Sequence, residues 1–328
     1  MKFSIRINND LSVAAYPPLA RAAEAAGFDQ FWVSNDLFLR GVWPILSACA
    51  LATERITLGT CIVNPYTMHP AEIAMQALAL DELSGGRCVL GVAAGAKEFL
   101  NWVGIEQPHP LATSAATIRR LRALFAGDTG PFSDDGLPPW SAAAYLRVPA
   151  RPIPIYLGAM SPRMEQLIGE VADGGLPLLF PPERYGEVAA RVRQGAEAAG
   201  RDPLSIDLAA CIWVSIDANR EAALAALRAK VAYYANAMSD SVLHAVGATR
   251  DDAVAIAAAL QAHGPARALR LVTPELLRIG VAGDSTDLIE RLHDLIDAGA
   301  RHLSFGPPLG PDPLAAIQLL GREVLPVF

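Results

Sequence analysis

Hydrophobic and polar positions follow two alternating patterns along this chain. Continuous apolar runs, such as residues 55–63, are typical of strands that are buried on both faces of a parallel sheet. Between these runs, apolar residues recur every three or four positions, and such a stretch often ends at a glycine, as residues 16–27 do. This second pattern predicts helices. The chain is therefore predicted to alternate strands with helices over most of its length.

The predicted elements form eight strand–helix units. The strands are predicted over residues 2–8, 28–36, 55–63, 87–95, 152–159, 175–181, 207–217 and 301–308. The helices are predicted over residues 16–27, 43–54, 71–86, 116–127, 161–174, 183–200, 284–299 and 312–325, with a longer helical region at 219–280. This order in 328 residues predicts an α/β fold, a (β/α)₈ TIM barrel in one domain over residues 1–328.

The alternative is a doubly wound open sheet with an added domain. No G-x-G-x-x-G motif follows the first predicted strand, which favours the barrel. Two segments interrupt the regular alternation, a Pro/Gly-rich one at about 128–151 and a helical one at about 219–283. Insertions in barrels commonly build the walls of the active site, so we expect both segments to shape a substrate pocket.

Composition and charge narrow the possible partners. The net charge of −7 argues against a nucleic-acid partner, and no apolar run approaches the roughly 18 residues that a membrane span needs. The four cysteines form no C-x-x-C pair, and the chain begins directly with a strand pattern. We therefore expect a cytoplasmic protein that acts on a small molecule. A hydrophobic content of 52% further predicts a homodimer.

The candidate chemistry lies where the predicted strands end, because barrel active sites form at the carboxyl ends of the strands. The six histidines are scattered without metal-ligand spacing, so we expect no metal site. Asp36 follows the second strand and is a candidate for proton transfer, with a capping or solvated aspartate as the alternative. Gly91 and Gly95 either let a flat ligand approach the fourth strand or serve as turn residues.

A possible anion site follows the fifth strand. Residues 158–161, Gly-Ala-Met-Ser, lead into a helix with Pro162 at its first position, and no bulky side chain blocks the first amides. Free amides and the helix dipole predict a phosphate site there. An ordinary N-capped helix is the alternative.

The runs RITLGTCIVNPYTMHPAEIA, LDELSGGRCVLGVAAG and IPIYLGAMSPRMEQLIGEVADG resemble the luciferase-like flavin- and F420-dependent oxidoreductases. The closing run LSFGPPLGPDPLAAI resembles the methylenetetrahydromethanopterin reductase branch, which uses the deazaflavin F420. The resemblance covers nearly the whole chain, in order. It implies a TIM barrel that transfers a hydride between coenzyme F420 and an organic substrate. An FMN-dependent monooxygenase using oxygen and a non-catalytic flavin-binding protein of the same fold are the alternatives.

The resemblance also implies a set of cofactor-binding residues: Cys61, Ile62, Asn64, Thr67, Gly95, Gly158, Ala159, Met160, Ser161, Asp173 and Gly174. Within this set, it implies a non-prolyl cis peptide bond between Cys61 and Ile62, in a bulge that backs the ring. The backbone amides that follow the fifth strand are implied to hold the cofactor phosphate. Asp173 and Gly174 are implied to let the sixth strand approach the phosphate end.

The chain departs from the family pattern at two strand positions. F420-dependent members carry an acid followed by histidine after strand two, whereas this chain has Asn35-Asp36. The methanopterin reductases carry a glutamate in strand one where this chain has Arg6, which argues against methanopterin reduction. We expect Asp36 to transfer the proton and Asn35 and Arg6 to contact substrate. A positive charge suits an anionic substrate or cofactor tail, with a salt-bridged structural arginine as the alternative.

Overall fold

A computed structural model describes all 328 residues of the chain. Its strands are β1 Lys2–Ile7, β2 Gln30–Val33, β3 Thr57–Thr60, β4 Cys88–Val92, β5 Ile155–Ala159, β6 Gly174–Pro177, β7 Asp207–Ile216, β8 Gly280–Gly283 and β9 His302–Leu309. Its α-helices are α1 Tyr16–Ala26, α2 Val42–Ala50, α3 Pro70–Leu83, α4 Lys97–Asn101, α5 Pro110–Phe125, α6 Pro162–Val171, α7 Tyr185–Ala198, α8 Arg220–Tyr234, α9 Asp240–Val246, α10 Arg250–His263, α11 Pro265–Leu269, α12 Pro274–Leu277, α13 Ser285–Asp297 and α14 Pro313–Leu319.

The parallel sheet closes on itself. Its strand order is β6-β5-β4-β3-β2-β1-β9-β7, and pairing between β6 and β7 completes a ring of eight strands. Helices surround this ring, so the predicted TIM barrel is confirmed. The ninth strand, β8, pairs with Trp213–Ile216 at the far end of β7, whereas β6 pairs with its first residues. Sequence reasoning missed β8 because two of its four residues are glycine.

Several predicted boundaries shift for local reasons. The helix expected over 116–127 starts earlier, at Pro110, because proline is well placed in a first turn. The strand expected over 175–181 is only Gly174–Pro177, since the proline that ends it has no amide for a longer ladder. The helical region at 219–280 is confirmed as helical but is divided into the five helices α8 to α12.

Apolar side chains fill two separate spaces. The larger core lies between the strands and the outer helices and includes Ile5, Phe31, Leu58 and Phe305. The helices α8 to α12 enclose a second core of their own, which Trp213 joins from the end of β7. The inside of the barrel is mixed instead, with apolar residues beside buried polar ones. None of the helices is both long and apolar enough to cross a lipid bilayer.

The segment 128–151 lies on the outside of helix α5. The side chain of Arg120 is fully buried there and donates from Nε to Asp134 Oδ2 at 2.9 Å. Trp140 packs against the Arg120 guanidinium and stacks on His69. Together these contacts fix the segment on the helix layer.

Candidate active site

One cavity opens at the carboxyl ends of the barrel strands. Its volume is about 370 Å³, and 18 of its 32 lining residues are hydrophobic. Most of the residues predicted from the sequence line it: Arg6, Asn35, Asp36, Cys61, Ile62, Asn64, Thr67, Gly95, Gly158, Ala159, Met160 and Ser161. The barrel therefore brings together in space residues that are up to 155 positions apart in the sequence.

A backbone bulge follows β3 and forms one wall. The peptide bond between Cys61 and Ile62 is cis, as predicted. The ladder continues on both sides of it, from Cys61 N to Val33 O at 2.8 Å and from Val63 N to Gly91 O at 2.9 Å. Between these two bonds, the Thr60 hydroxyl joins β3 to β4 in place of a backbone hydrogen bond. It donates to Gly91 O at 2.9 Å and accepts from Gly91 N at 3.0 Å.

Gly91 makes room for this bulge. A Cβ atom at position 91 would lie 2.1 Å from the carbonyl oxygen of Thr60, a distance that no side chain tolerates. The glycine therefore serves close contact between two backbones, and neither the ligand approach nor the turn considered from the sequence accounts for it. Gly95, the neighbouring glycine, has a positive φ of 75° and packs against the Asn64 side chain.

The turn after the bulge is held by its own side chains. Asn64 Oδ1 accepts from Tyr66 N at 2.8 Å, and Thr67 Oγ1 donates to Asn64 O at 3.2 Å. Gln107 Nε2 donates to the carbonyl of Gly95 at 2.8 Å. These bonds fix the polar rim of the cavity in one conformation.

The segment after β5 has the features of an anion site. Ser161 caps α6 by accepting from Met164 N at 3.4 Å, and Pro162 occupies the first helical position, as predicted. The amides of Met160 and Ser161 donate to no protein acceptor. Free N–H groups at the positive end of a ten-residue helix can bind a phosphate.

The prediction for Asp173 and Gly174 is wrong. Both residues lie at the amino end of β6, whereas the cavity lies beyond its carboxyl end. Asp173 accepts from Ile155 N at 2.9 Å and from Arg122 at 2.7 Å. A Cβ atom at Gly174 would overlap the Tyr156 ring. The two residues therefore stabilise the amino end of the sheet. They lie away from the cavity because Gly174 is the first residue of β6 and the cavity lies beyond the last.

The expectation that segment 128–151 shapes the pocket is also wrong, because none of its residues lines the cavity. Its prolines and glycines follow the surface of α5 instead. The other segment does contribute, since Lys230, Tyr234 and Ala237 line the cavity.

Asp36 is the only acidic residue in the cavity wall. Burial raises the pKa of its carboxyl above the ordinary value, while the charge of Lys230 opposes that rise. Its backbone is fixed by Asn9, which accepts from Asp36 N at 3.2 Å and donates to Asp36 O at 3.1 Å. Asn35 accepts from Val42 N at 3.3 Å at the start of α2. A carboxyl with a raised pKa on a fixed loop is suited to proton transfer.

Sequence reasoning missed an aromatic and basic wall. Lys230 Nζ lies 4.2 Å from the ring centroid of Tyr234 and 5.6 Å from that of Trp213. Burial lowers the pKa of Lys230 to about 8, and the charge of Asp36 opposes this shift. The helical pattern could have indicated Lys230, because this residue lies on the same face of α8 as the buried residues Leu227 and Val231. A lysine on an apolar stripe is unusual.

The fold and the site define a (β/α)₈-barrel protein whose largely apolar cavity contains free backbone amides, the half-buried acid Asp36 and the half-buried base Lys230. The chain belongs to the luciferase-like monooxygenase family, whose sequence profile matches residues 5–302.

Similar proteins extend over nearly the whole chain. The 5,10-methylenetetrahydromethanopterin reductase of Methanolobus tindarius is 33% identical over 96% of both chains. The F420-dependent glucose-6-phosphate dehydrogenase of Nakamurella multipartita is 30% identical over 94% of this chain and 90% of its own. The structure of the coenzyme F420-dependent tetrahydromethanopterin reductase from Methanopyrus kandleri covers 100% of this chain and 99% of its own, with a TM-score of 0.89 and 29% identity.

Proposed function

We propose that this protein is an F420-dependent oxidoreductase that transfers a hydride between the deazaflavin and an organic substrate. One observation carries this proposal. A relative that matches 94% of this chain and a closely superposing structure are both named as F420-dependent, although their names specify different substrates, glucose 6-phosphate and tetrahydromethanopterin. A shared cofactor with different substrates places the conserved chemistry in the cofactor and the specificity in the surrounding wall.

The residues present fit such a cofactor. The bulge at Cys61–Ile62 and the apolar walls provide a surface for a flat ring, and the turn at Asn64–Thr67 provides polar atoms along one edge. The unbonded amides of Met160 and Ser161 suit its phosphate. When bound, F420 supplies the hydride chemistry.

The chain's own residues supply the proton and the environment. Asp36 gives a proton to a substrate oxygen during reduction, or takes it during oxidation, and the raised pKa of its carboxyl favours this exchange. Lys230 lies near enough to influence the charge of Asp36. The apolar lining from residues such as Leu176 and Leu179 excludes water.

The substrate of this enzyme is proposed to differ from methylenetetrahydromethanopterin. Arg6 lines the cavity at the position where the resemblance implies a glutamate. This change reverses the local charge and removes an acid from strand one.

We also propose that the protein is a cytoplasmic homodimer. All four cysteines are free, which supports a reducing compartment. Met75 and Leu83 are exposed on α3, and Leu51 is exposed directly after the neighbouring helix α2; a subunit contact would cover all three. Light scattering measures the mass directly, and a mass of one chain at micromolar concentration contradicts the dimer.

Cofactor titration tests the central proposal. The purified protein is titrated with F420 and, separately, with FMN, and the two dissociation constants are compared. We expect F420 to bind with a Kd in the micromolar range and FMN about 100-fold more weakly. Tight FMN binding with negligible F420 binding would refute the proposal, and oxygen consumption with reduced FMN would then identify a monooxygenase.

A further inference from the structure

The cavity wall opposite the phosphate-type site contains two cations with no carboxylate within ion-pair distance. We infer that Arg6 and Lys230 form a receptor for a carboxylate group of the substrate. This inference rests on the proposed function, because it concerns the part of the cavity that the cofactor leaves to the substrate.

Arg6 has one free edge. Arg6 is only 4% exposed. Its Nε donates to Ser304 Oγ at 3.0 Å, and its Nη2 donates to Ile212 O at 2.8 Å and to Ser304 O at 3.1 Å. These acceptors are neutral, and Nη1 donates to no protein oxygen or nitrogen. A buried guanidinium without a counter-ion is costly unless a ligand supplies the negative charge.

A hydrogen-bonded chain inside the barrel fixes this arginine from behind. Ser304 Oγ is 2.8 Å from Ser4 Oγ, and Ser4 Oγ is 2.8 Å from His302 Nε2. His302 Nδ1 is 2.9 Å from Asp207 Oδ1 at the base of the barrel. The chain thus runs from the guanidinium to a carboxylate at the opposite end of the strands. It holds Arg6 Nε in place, while the backbone carbonyls of Ile212 and Ser304 hold Nη2 and leave Nη1 without a protein oxygen or nitrogen acceptor.

Gly306 provides the space for this arrangement. A Cβ atom at position 306 would lie 2.4 Å from Arg6 Nη2, so a larger residue in β9 would displace the guanidinium. The position of the Arg6 guanidinium on β1 therefore depends on a glycine in the neighbouring strand β9.

Lys230 is the second cation. Its only hydrogen bond is a long one to Asn8 Oδ1, at 3.4 Å, and the aromatic rings beside it leave the remaining donors free. Burial lowers the pKa of Lys230 most, the charges of Asp36 and Asp10 oppose this shift, and the charge of Arg6 adds to it. Arg6 and Lys230 therefore repel each other, and an anion bound between them would reduce this repulsion.

The position of the pair separates it from the phosphate-type site. In the ring of eight strands, β1 lies diametrically opposite β5, where Met160 and Ser161 offer their amides. Arg6, Lys230 and Asp36 are the only charged residues of the cavity wall, so the wall is net positive in a chain of net charge −7. One free guanidinium edge and one ammonium in an apolar wall suit a monoanionic carboxylate better than a phosphate dianion, which needs more donors.

The test uses benzoate and benzamide, which share size and shape but differ in charge. Both are titrated by calorimetry into the protein with and without saturating F420, for the wild type, Arg6→Met and Lys230→Met. The matched control is Arg322→Met, since Arg322 is exposed near the carboxyl terminus. We expect wild type and control to prefer benzoate by about tenfold, and the preference to fall to about twofold or less in Arg6→Met. In Lys230→Met, the preference for benzoate over benzamide should fall by about threefold. F420 affinity should change less than threefold in either variant.

The outcomes separate the two proposals. Equal binding of benzoate and benzamide to the wild type, or a benzoate preference that survives in both variants, overturns the receptor. Stronger binding of phenyl phosphate with the same dependence on Arg6 overturns the carboxylate assignment. If F420 fails to bind while the Arg6-dependent preference persists, the receptor stands and the cofactor proposal fails. If Arg6→Met does not fold, Lys230→Met decides the question.

Discussion

The two halves of the cavity recognise ligands by different means. The half at β3 to β5 is made of main chain and small residues: the bulge at Cys61–Ile62, the backbone contact at Gly91 and the free amides before α6. The half at β1, β7 and α8 is made of long side chains, among them Arg6, Trp213 and Lys230. One half therefore depends on backbone geometry, whereas the other depends on which side chains the fold brings together.

This difference indicates how such a barrel keeps one cofactor and changes its substrate. A backbone site tolerates few substitutions, because each residue is constrained by its neighbour's main chain. A side-chain wall is altered by single exchanges, such as the arginine at position 6 in place of the glutamate that the resemblance implies. The following predictions test this division, from the largest expected effect to the smallest.

Asp36→Asn should produce the largest loss, because it removes the only carboxyl of the cavity wall. We expect the turnover rate to fall by about 10²- to 10⁴-fold, with F420 affinity changed less than threefold. The measurement is the change in F420 absorbance, either with oxidised F420 and an alcohol donor or with reduced F420 and a carbonyl acceptor that the wild type converts. A rate within threefold of wild type would exclude Asp36 as the proton-transfer group.

Gly91→Ala should disrupt the backbone half. The new Cβ would lie 2.1 Å from Thr60 O, so the bulge must move. We expect F420 affinity to fall about 100-fold and the free energy of unfolding to fall by about 2–4 kcal/mol. Gly186→Ala is the control, because nothing lies within 4 Å of that position in helix α7 and alanine favours a helix. Unchanged F420 binding in Gly91→Ala would show that the bulge does not hold the cofactor.

Asp207→Asn should destabilise the side-chain half, because Asp207 ends the hydrogen-bonded chain that holds Arg6. Asp207 accepts from His302, Lys2 and Tyr156, and these partners hold the pKa of its carboxyl well below the ordinary value. We expect a loss of about 2–3 kcal/mol at pH 7 in chemical denaturation.

The pH dependence of this loss follows from the direction of the shift. The unfolded chain takes up a proton near the ordinary pKa of 3.8, whereas the folded chain resists it until lower pH. The stabilisation by Asp207 is thus complete above pH 3.8 and decreases as the pH falls below it. The difference between wild type and variant should shrink below about pH 4, and a constant difference would contradict the assignment.

Ser161→Asp should test the anion site without disturbing the helix. Aspartate caps a helix as well as serine does, so thermal stability should stay within about 2 °C. Its charge repels a phosphate, and we expect F420 affinity to fall about tenfold. Ser239→Asp, at the cap of helix α9, whose residues do not line the cavity, is the matched control and should change neither quantity. Equal affinities in the two variants would place the cofactor phosphate elsewhere.

Cysteine modification should have the smallest effect. Burial raises the pKa of the Cys61 and Cys49 thiols to about 12, and also raises that of Cys88 and Cys211. Only about one thiol in 10⁴ is ionised at pH 8 when its pKa is 12. Mass spectrometry should show no alkylation by iodoacetamide in one hour, and full alkylation in denaturant. Because Cys61 lines the cavity, its rapid modification in the native protein would show that the thiol ionises more readily than its raised pKa allows.

The two halves also differ in how far they could be predicted. The residues of the backbone half lie in contiguous runs. Ser161-Pro162 predicts the start of α6, and the family resemblance of the run around Cys61 implies its cis bond to Ile62; the structure has both. Lys230 and Trp213 gave no local motif, and they meet only because α8 folds over the end of β7. The predicted role of Asp173 in cofactor binding is wrong, because Asp173 directly precedes β6 and thus lies at the amino end of the barrel, opposite the cavity.

The sequence by itself determined the order of strands and helices, the barrel, and the stretch that surrounds Cys61 and Ile62. Local hydrophobic periodicity predicts the strands and helices, and the family resemblance of the contiguous run around Cys61 implies the bulge. Only the tertiary structure decided which side chains share the cavity, that segment 128–151 lies outside it, and that Arg6 is held by a chain reaching to Asp207. Burial, pKa and free hydrogen-bond donors depend on contacts between distant residues, and those contacts exist only once the barrel has closed.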